Sequence, residues 1–244
     1  MPREILVAPL AQGHNSDGIF TVRNETSLNT ILATMSPFSA PRKLYKYISP
    51  DGATKLFEKP SLWFRLSNKF NDVFDMRPAG SHPTDGLGAI PVLCLCETPT
   101  SAPMWGHYAE RGEGVVLEFD TNSEFFKRYE PYKVRYRAKR PTDKNLRDAA
   151  LVKNKEWAYE REWRCFAELP RHLSAEERFL VSQQAVAVPF PFDALSAIIH
   201  GHDGRAVMEA VKFLENPLVS HVQHLVCQID PRKFIFNLRS LEDI

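Results

Sequence analysis

The chain has 244 residues, 43% of them apolar, 25% charged and 11% aromatic, which is ordinary globular composition with enough apolar material for a full-sized core. Lys and Arg number 31 against 30 Asp and Glu, so the net charge of +1 argues against a generic polyanion binder while leaving room for a local basic cleft. No apolar run reaches the roughly 18 residues of a membrane span, and Ile5 to Leu10 is short and broken by Pro9, unlike a secretory signal.

Four dispersed cysteines (Cys94, Cys96, Cys165 and Cys227) do not make a disulfide scaffold, and a reduced cytoplasmic protein is expected. Residues 1–42 carry breakers and weak periodicity, with one short helix expected over Leu28 to Met35. They read as an extension packed on a single α+β domain, 43–244.

From Lys43 the pattern sharpens. Leu44 to Ile48 reads as a strand, Asp51 as the cap of a helix through Glu58, and Leu62 to Leu66 as a second strand. Arg77 to Gly88 holds two prolines and three glycines and is expected to loop. Val92 to Cys96 is a short apolar strand. Thr100 or Ser101 opens a helix bearing Met104, Trp105 and Tyr108, and strands follow at Val115 to Phe119 and Tyr132 to Tyr136.

Asp143 to Trp157 has helical phase through Leu146, Ala149, Ala150 and Lys153, and Glu160 to Leu169 alternates like a strand. Short strands at Ala185 to Val188 and Ala197 to Ile199, a helix from Asp203 to Glu215, and strands at Leu225 to Ile229 and Phe234 to Leu238 complete the chain. Strands outnumber helices without regular alternation. The expected fold is α+β, with a mixed, largely antiparallel split sheet and flanking short helices.

The HGHD at 200–203 lacks the further ligands that zinc needs and reads as a strand end followed by a capping Asp203. No metal is expected. Cys94 and Cys96 alternate on one strand face as core cysteines do. Tyrosines and basic residues between Lys127 and Arg140 suit a solvated strand and loop.

Three segments carry more polar and aromatic residues than a bare core needs. In LWFRLSNKFNDVFD (62–75), Asn71 and Asp72 suit a structural corner or a pocket wall beneath Ser67. In PMWGHYAERGEGVVLEFD (103–120), Trp105 reads as core, whereas His107 and Tyr108 have polar tips that want partners. In KEWAYEREWRCFAEL (155–169), strand alternation puts Glu160, Glu162 and Arg164 on one face, ringed by Trp157, Tyr159 and Trp163. Carboxylates in that setting are site candidates.

Taken together, LYKY (44–47), FNDVFD (70–75), MWGHYAERGEGVVLEFD (104–120) and YEREWR (159–164) resemble a large bacterial family of uncharacterised domains with FNDPFD, WxHYA and YExEWR motifs, over about residues 43–205. Val73 and Ile48 depart from that pattern, where proline and arginine are usual. The order of parts is in turn similar to that of ADP-ribosyltransferases, which implies a fold of that kind with NAD as substrate.

The same resemblance implies Glu162 as the catalytic carboxylate and Glu160 as the group that orients or deprotonates an acceptor, nucleic acid or protein. It also implies a binding role for Lys46, Tyr47, Phe64, Ser67, Asn71, Phe74, His107, Tyr108 and Arg164. The other readings are a hydrolase of nucleotides or glycosides using the same acids, and a non-catalytic binding or regulatory module.

Overall fold

The computed structural model describes residues 39–80, 90–142, 146–167, 185–203 and 217–243. The helices expected at 28–35 and 203–215, most of the loop at 77–88 and the end of the strand expected to reach Leu169 lie outside them. Among the described residues the fold is mixed α+β, and ten strands form one largely antiparallel sheet.

Strand β1 (Lys43–Ile48) leads into helix α1 (Pro50–Glu58), which is capped by Ser49: its hydroxyl accepts the Gly52 amide at 3.1 Å. Asp51, expected as the cap, sits inside the first turn and pairs with Lys55. Next come β2 (Ser61–Leu66), β3 (Pro91–Cys96) and α2 (Ala102–Tyr108). They are followed by β4 (Val115–Asp120) and α3 (Glu124–Arg128).

The expected strand at 132–136 is split into β5 (Tyr132–Lys133) and β6 (Arg135–Arg137): β5 pairs with the strand that carries Trp163 and Arg164, Val134 still donates its amide to the Glu162 carbonyl at 2.9 Å, and from Arg135 the chain turns to a new partner. Residues 143–145 lie outside the described residues, and helix α4 (Leu146–Leu151) ends well before the Trp157 that the phase suggested. At Val152 the chain extends into β7 (Val152–Asn154), parallel to β6, then coils as a 3-10 segment over Lys155–Glu160. Strand β8 (Glu162–Phe166) begins only after Arg161. The remaining strands are β9 (Ala185–Pro189), β10 (Leu195–His200), β11 (Gln223–Ile229) and β12 (Phe236–Ser240).

Strand order is β12-β11-β10-β4-β1-β3-β2-β9, with β8 also on β3 and β5 on β8. Along one edge β3 meets β1 at Tyr45 opposite Cys96 and β2 at Arg65 opposite Val92, so β1 and β2 diverge from it. The amine of Lys46 fills that divergence, donating to the Cys94 carbonyl at 3.2 Å. A buried carbonyl beside a strand gap needs such a donor.

One sheet face packs Leu44, Phe64, Leu93, Leu117, Phe119 and Trp163 against α1 and α3. The other face carries two smaller clusters. Met76, Val134, Leu151 and Phe166 form one, and Tyr47, Cys96, Trp105 and Ile199 form the second.

Candidate functional site

Five charged side chains meet on that second face: Asp75, Lys153, Glu160, Glu162 and Arg164, all buried. Strand alternation sends Trp163 and Cys165 into the large core, which leaves Glu162 and Arg164 to the opposite face. Arg164 is 0% exposed. Its Nε and Nη2 donate to the two oxygens of Glu162 at 2.8 and 3.0 Å. Nη2 also donates to Asp75 Oδ2 at 2.6 Å, and Nη1 to the Ala150 carbonyl at 2.8 Å. Lys153 Nζ reaches Glu160 at 2.5 Å, Glu162 at 3.3 Å and, less closely, Asp75 at 3.7 Å. The Tyr136 hydroxyl accepts the Glu162 amide at 2.7 Å.

Glu160 is not on the strand with Glu162. It ends the 3-10 segment, and Arg161 turns the chain with φ 44° and ψ 51°, in the left-handed region. The face-sharing expected of the two acids therefore fails at the backbone, yet both carboxylates still converge on Lys153. Glu160 takes its second hydrogen bond from the Tyr108 hydroxyl at 2.6 Å, and Asn71 Nδ2 donates to that hydroxyl at 3.2 Å. Asn71 is exposed and Tyr108 half-buried, so this arm connects the buried charges to solvent.

The cluster holds three carboxylates against two cations, and the imbalance shows in their proton affinities. Burial raises the Glu160 pKa and nearby Glu162 adds to it, with Lys153 opposing only in part. Asp75 is also raised, chiefly by burial. Burial pushes Glu162 the same way, but Arg164 and Lys153 outweigh it and hold that carboxyl below the usual range. Burial works against the Lys153 charge, but Glu162, Asp75 and Glu160 hold its pKa above the ordinary value. Glu162 is thus held as an anion, whereas Glu160 and Asp75 both have raised proton affinity.

Aromatic rings border Glu160. Tyr108, His107, Tyr159 and Trp157 form a continuous row with successive centroids 6.2, 6.4 and 6.0 Å apart. Lys153 Nζ lies 4.7 Å from the centroid of Trp157.

The structure brings Asn71, Tyr108, His107, Glu160, Glu162 and Arg164 together. Phe74 stands exposed on the corner beside Asn71. Lys46 braces the sheet, and Tyr47 is core: its hydroxyl donates to the Thr98 carbonyl and accepts the Ser101 amide at the start of α2. Phe64 is fully buried on the opposite sheet face, so its ring cannot line this site. Ser67 is buried below the corner, where its carbonyl accepts the Phe70 amide.

Lys153, Asp75 and Tyr136 are the participants that sequence reasoning missed. A lone lysine closing the apolar run Ala149 to Val152 was the available signal for Lys153.

His200 and His224 stack with Nε2 and Nδ1 3.0 Å apart, and burial, then the neighbouring ring, lowers His200 to about 3. No group of three or more prospective metal ligands occurs among the described residues. None of the described helices is long and apolar enough to cross a membrane.

A family model described as "Protein of unknown function (DUF2971)" matches residues 104–165. That span takes in Tyr108, Lys153, Glu160, Glu162 and Arg164, and leaves Asn71 and Asp75 outside. No curated protein and no solved structure matches the chain.

Proposed function

We propose that the chain is an ADP-ribosyltransferase that uses NAD as donor, with an ADP-ribosyltransferase-like split sheet and Glu160 at the reacting centre. The observation that carries this reading is Glu160 itself. Its carboxylate has raised proton affinity, is fixed by Tyr108 and Lys153, and adjoins a row of aromatic rings on the solvent side of a buried charge cluster.

An acid poised this way suits general-base work, because its proton affinity is moved towards neutral pH. The aromatic row offers flat apolar surface to a nicotinamide or adenine ring. In the reaction the bond from ribose C1′ to the nicotinamide nitrogen breaks and its electron pair leaves with nicotinamide. The acceptor atom then bonds to C1′, and its proton passes to Glu160. Glu162 holds Lys153 and Arg164 in place, so the roles implied for the two acids by motif order exchange.

A second reading is favoured by the same cluster: Asp75 and Glu162 are both paired with Arg164 inside the fold, as expected if the motifs build a binding module without turnover. Nicotinamide release separates the two. The transferase reading expects wild type to release nicotinamide from NAD and Glu160→Gln to lose about 10²-fold or more in rate while keeping NAD affinity. NAD binding without release supports the module. Absence of NAD binding at millimolar concentration, or wild-type turnover by Glu160→Gln, refutes the transferase assignment.

A further inference from the structure

Beside the site, the corner bearing Asn71 displays two apolar side chains to solvent, Val73 at 63% and Phe74 at 51% exposure. Singly exposed apolar groups are usually incidental, but here the backbone that carries them is held in place. Asp72 Oδ1 accepts the Phe74 amide at 2.9 Å, Asp75 is held by Arg164 at 2.6 Å, and Asn71 binds Tyr108. Arg77 Nη1 donates to the Val73 carbonyl at 2.8 Å.

Arg140 lies 5.4 Å from the centre of the Phe74 ring. Its Nε and Nη2 donate to the Arg77 carbonyl at 3.2 and 2.8 Å, and Nη2 also donates to the Pro78 carbonyl at 3.0 Å. Backbone carbonyls orient that guanidinium without neutralising it. Among the described residues neither Arg77 nor Arg140 has a carboxylate in ion-pair range, whereas nearby Arg135 and Arg137 share Asp148 and Lys133 has Glu97.

We infer that Phe74, Arg77 and Arg140 form a docking surface for single-stranded nucleic acid. The feature is an aromatic face beside two guanidiniums that have no carboxylate in ion-pair range among the described residues, which matches alternating base and phosphate chemistry. A duplex hides its base faces and offers Phe74 nothing to stack on, which selects the single strand. Phe74 lies three residues from Asn71, which is linked to Glu160 through the Tyr108 hydroxyl, so the surface adjoins the site. That it is also the acceptor rests on the transferase reading.

The test is fluorescence anisotropy of labelled 12-mer DNA and RNA single strands (about the site size such grooves use), with a duplex control and no NAD. Wild type is expected to bind either single strand more tightly than duplex. Phe74→Ala should weaken binding about tenfold. Arg140→Gln should weaken it and flatten the log-affinity against log-salt slope by about 0.7, whereas Lys127→Gln, on distant α3, leaves both unchanged. Circular dichroism melts keep an unfolded Arg140→Gln from counting, and Phe74→Ala tests the surface separately.

Equal affinity for duplex, wild-type binding by Phe74→Ala, or no binding at low salt overturns the inference; a protein acceptor would give the last result. Because NAD is absent, binding that survives while nicotinamide release is never seen sinks the transferase reading and leaves the docking surface standing.

Discussion

Arg164→Leu tests whether the buried cluster is held by its guanidinium. Arg164 is wholly buried and donates to Glu162, Asp75 and the Ala150 carbonyl. Leucine fills part of the space but leaves Asp75, Glu160 and Glu162 facing Lys153 alone. Removing one partner from a buried ion pair costs about 3–5 kcal/mol, because the remaining charge stays desolvated. The Ala150 carbonyl loses a donor as well. Against a total stability of about 5–15 kcal/mol for a domain, this is a large fraction.

Urea titration at neutral pH measures it as a lower midpoint with an unchanged slope. The deficit should depend on pH. In wild type Glu162 is held below the usual carboxylate range, so its contribution is present above that range and lost as pH falls through it and below. In the variant the acids accept protons more readily, and the two proteins converge in stability on acidification. Replacing Asp75, Glu162 and Arg164 together by apolar residues should recover much of the loss. A deficit below about 1 kcal/mol at neutral pH, or one that does not shrink in acid, refutes the assignment of Arg164 as the cluster's counterion.

Glu160→Gln and Glu162→Gln should move stability in opposite senses. The raised Glu160 makes its charged form the costly one, so the glutamine variant is expected above wild type at pH 8, by up to about 1 kcal/mol, losing that advantage as pH falls towards the usual carboxylate value. Glu162→Gln should lose about 2 kcal/mol at the same pH, a deficit that shrinks below the usual carboxylate range; urea midpoints of equal sign for the two would contradict both assignments. Asp72→Ala removes the acceptor of the Phe74 amide and should cost about 1–2 kcal/mol by thermal or urea melting. If it melts like wild type but no longer binds nucleic acid or NAD, Asp72 is a ligand contact and not an architectural corner.

Most strands were readable because alternation and β-branched or aromatic content coincide at Leu44 to Ile48, Leu62 to Leu66 and Val115 to Phe119. The three motif segments were readable as a group, and Asn71, Tyr108, Glu160 and Glu162 do meet. What alternation could not supply was long-range pairing. Lys153 fitted a helical phase with Ala149 and Ala150, and only the parallel pairing of β7 with β6 turns that segment into a strand and its amine into the cluster. Phe64 and Tyr47 were given pocket roles by the similarity in order of parts to ADP-ribosyltransferases, which carries no information on the sheet face a side chain takes. The sheet face each occupies was decided by partners distant in sequence.

The difference between Glu160 and Glu162 was the least legible feature, and it comes down to one residue. Had the strand begun at Glu160, both carboxylates would stand on one face, about 7 Å apart along the same rail. Both would then compete for Arg164. The left-handed turn at Arg161, an unfavourable conformation for a residue with a Cβ, breaks the rail between them. Glu162 stays in the ladder opposite Cys96 and keeps Arg164. Glu160 is delivered from the 3-10 segment to the far side of Lys153, where Tyr108 and not a guanidinium completes its shell. A neutral donor and a shared lysine compensate burial less fully than a bidentate guanidinium does. The two acids of one short motif consequently have opposite shifts, Glu162 held as an anion and Glu160 with raised proton affinity beside the aromatic row.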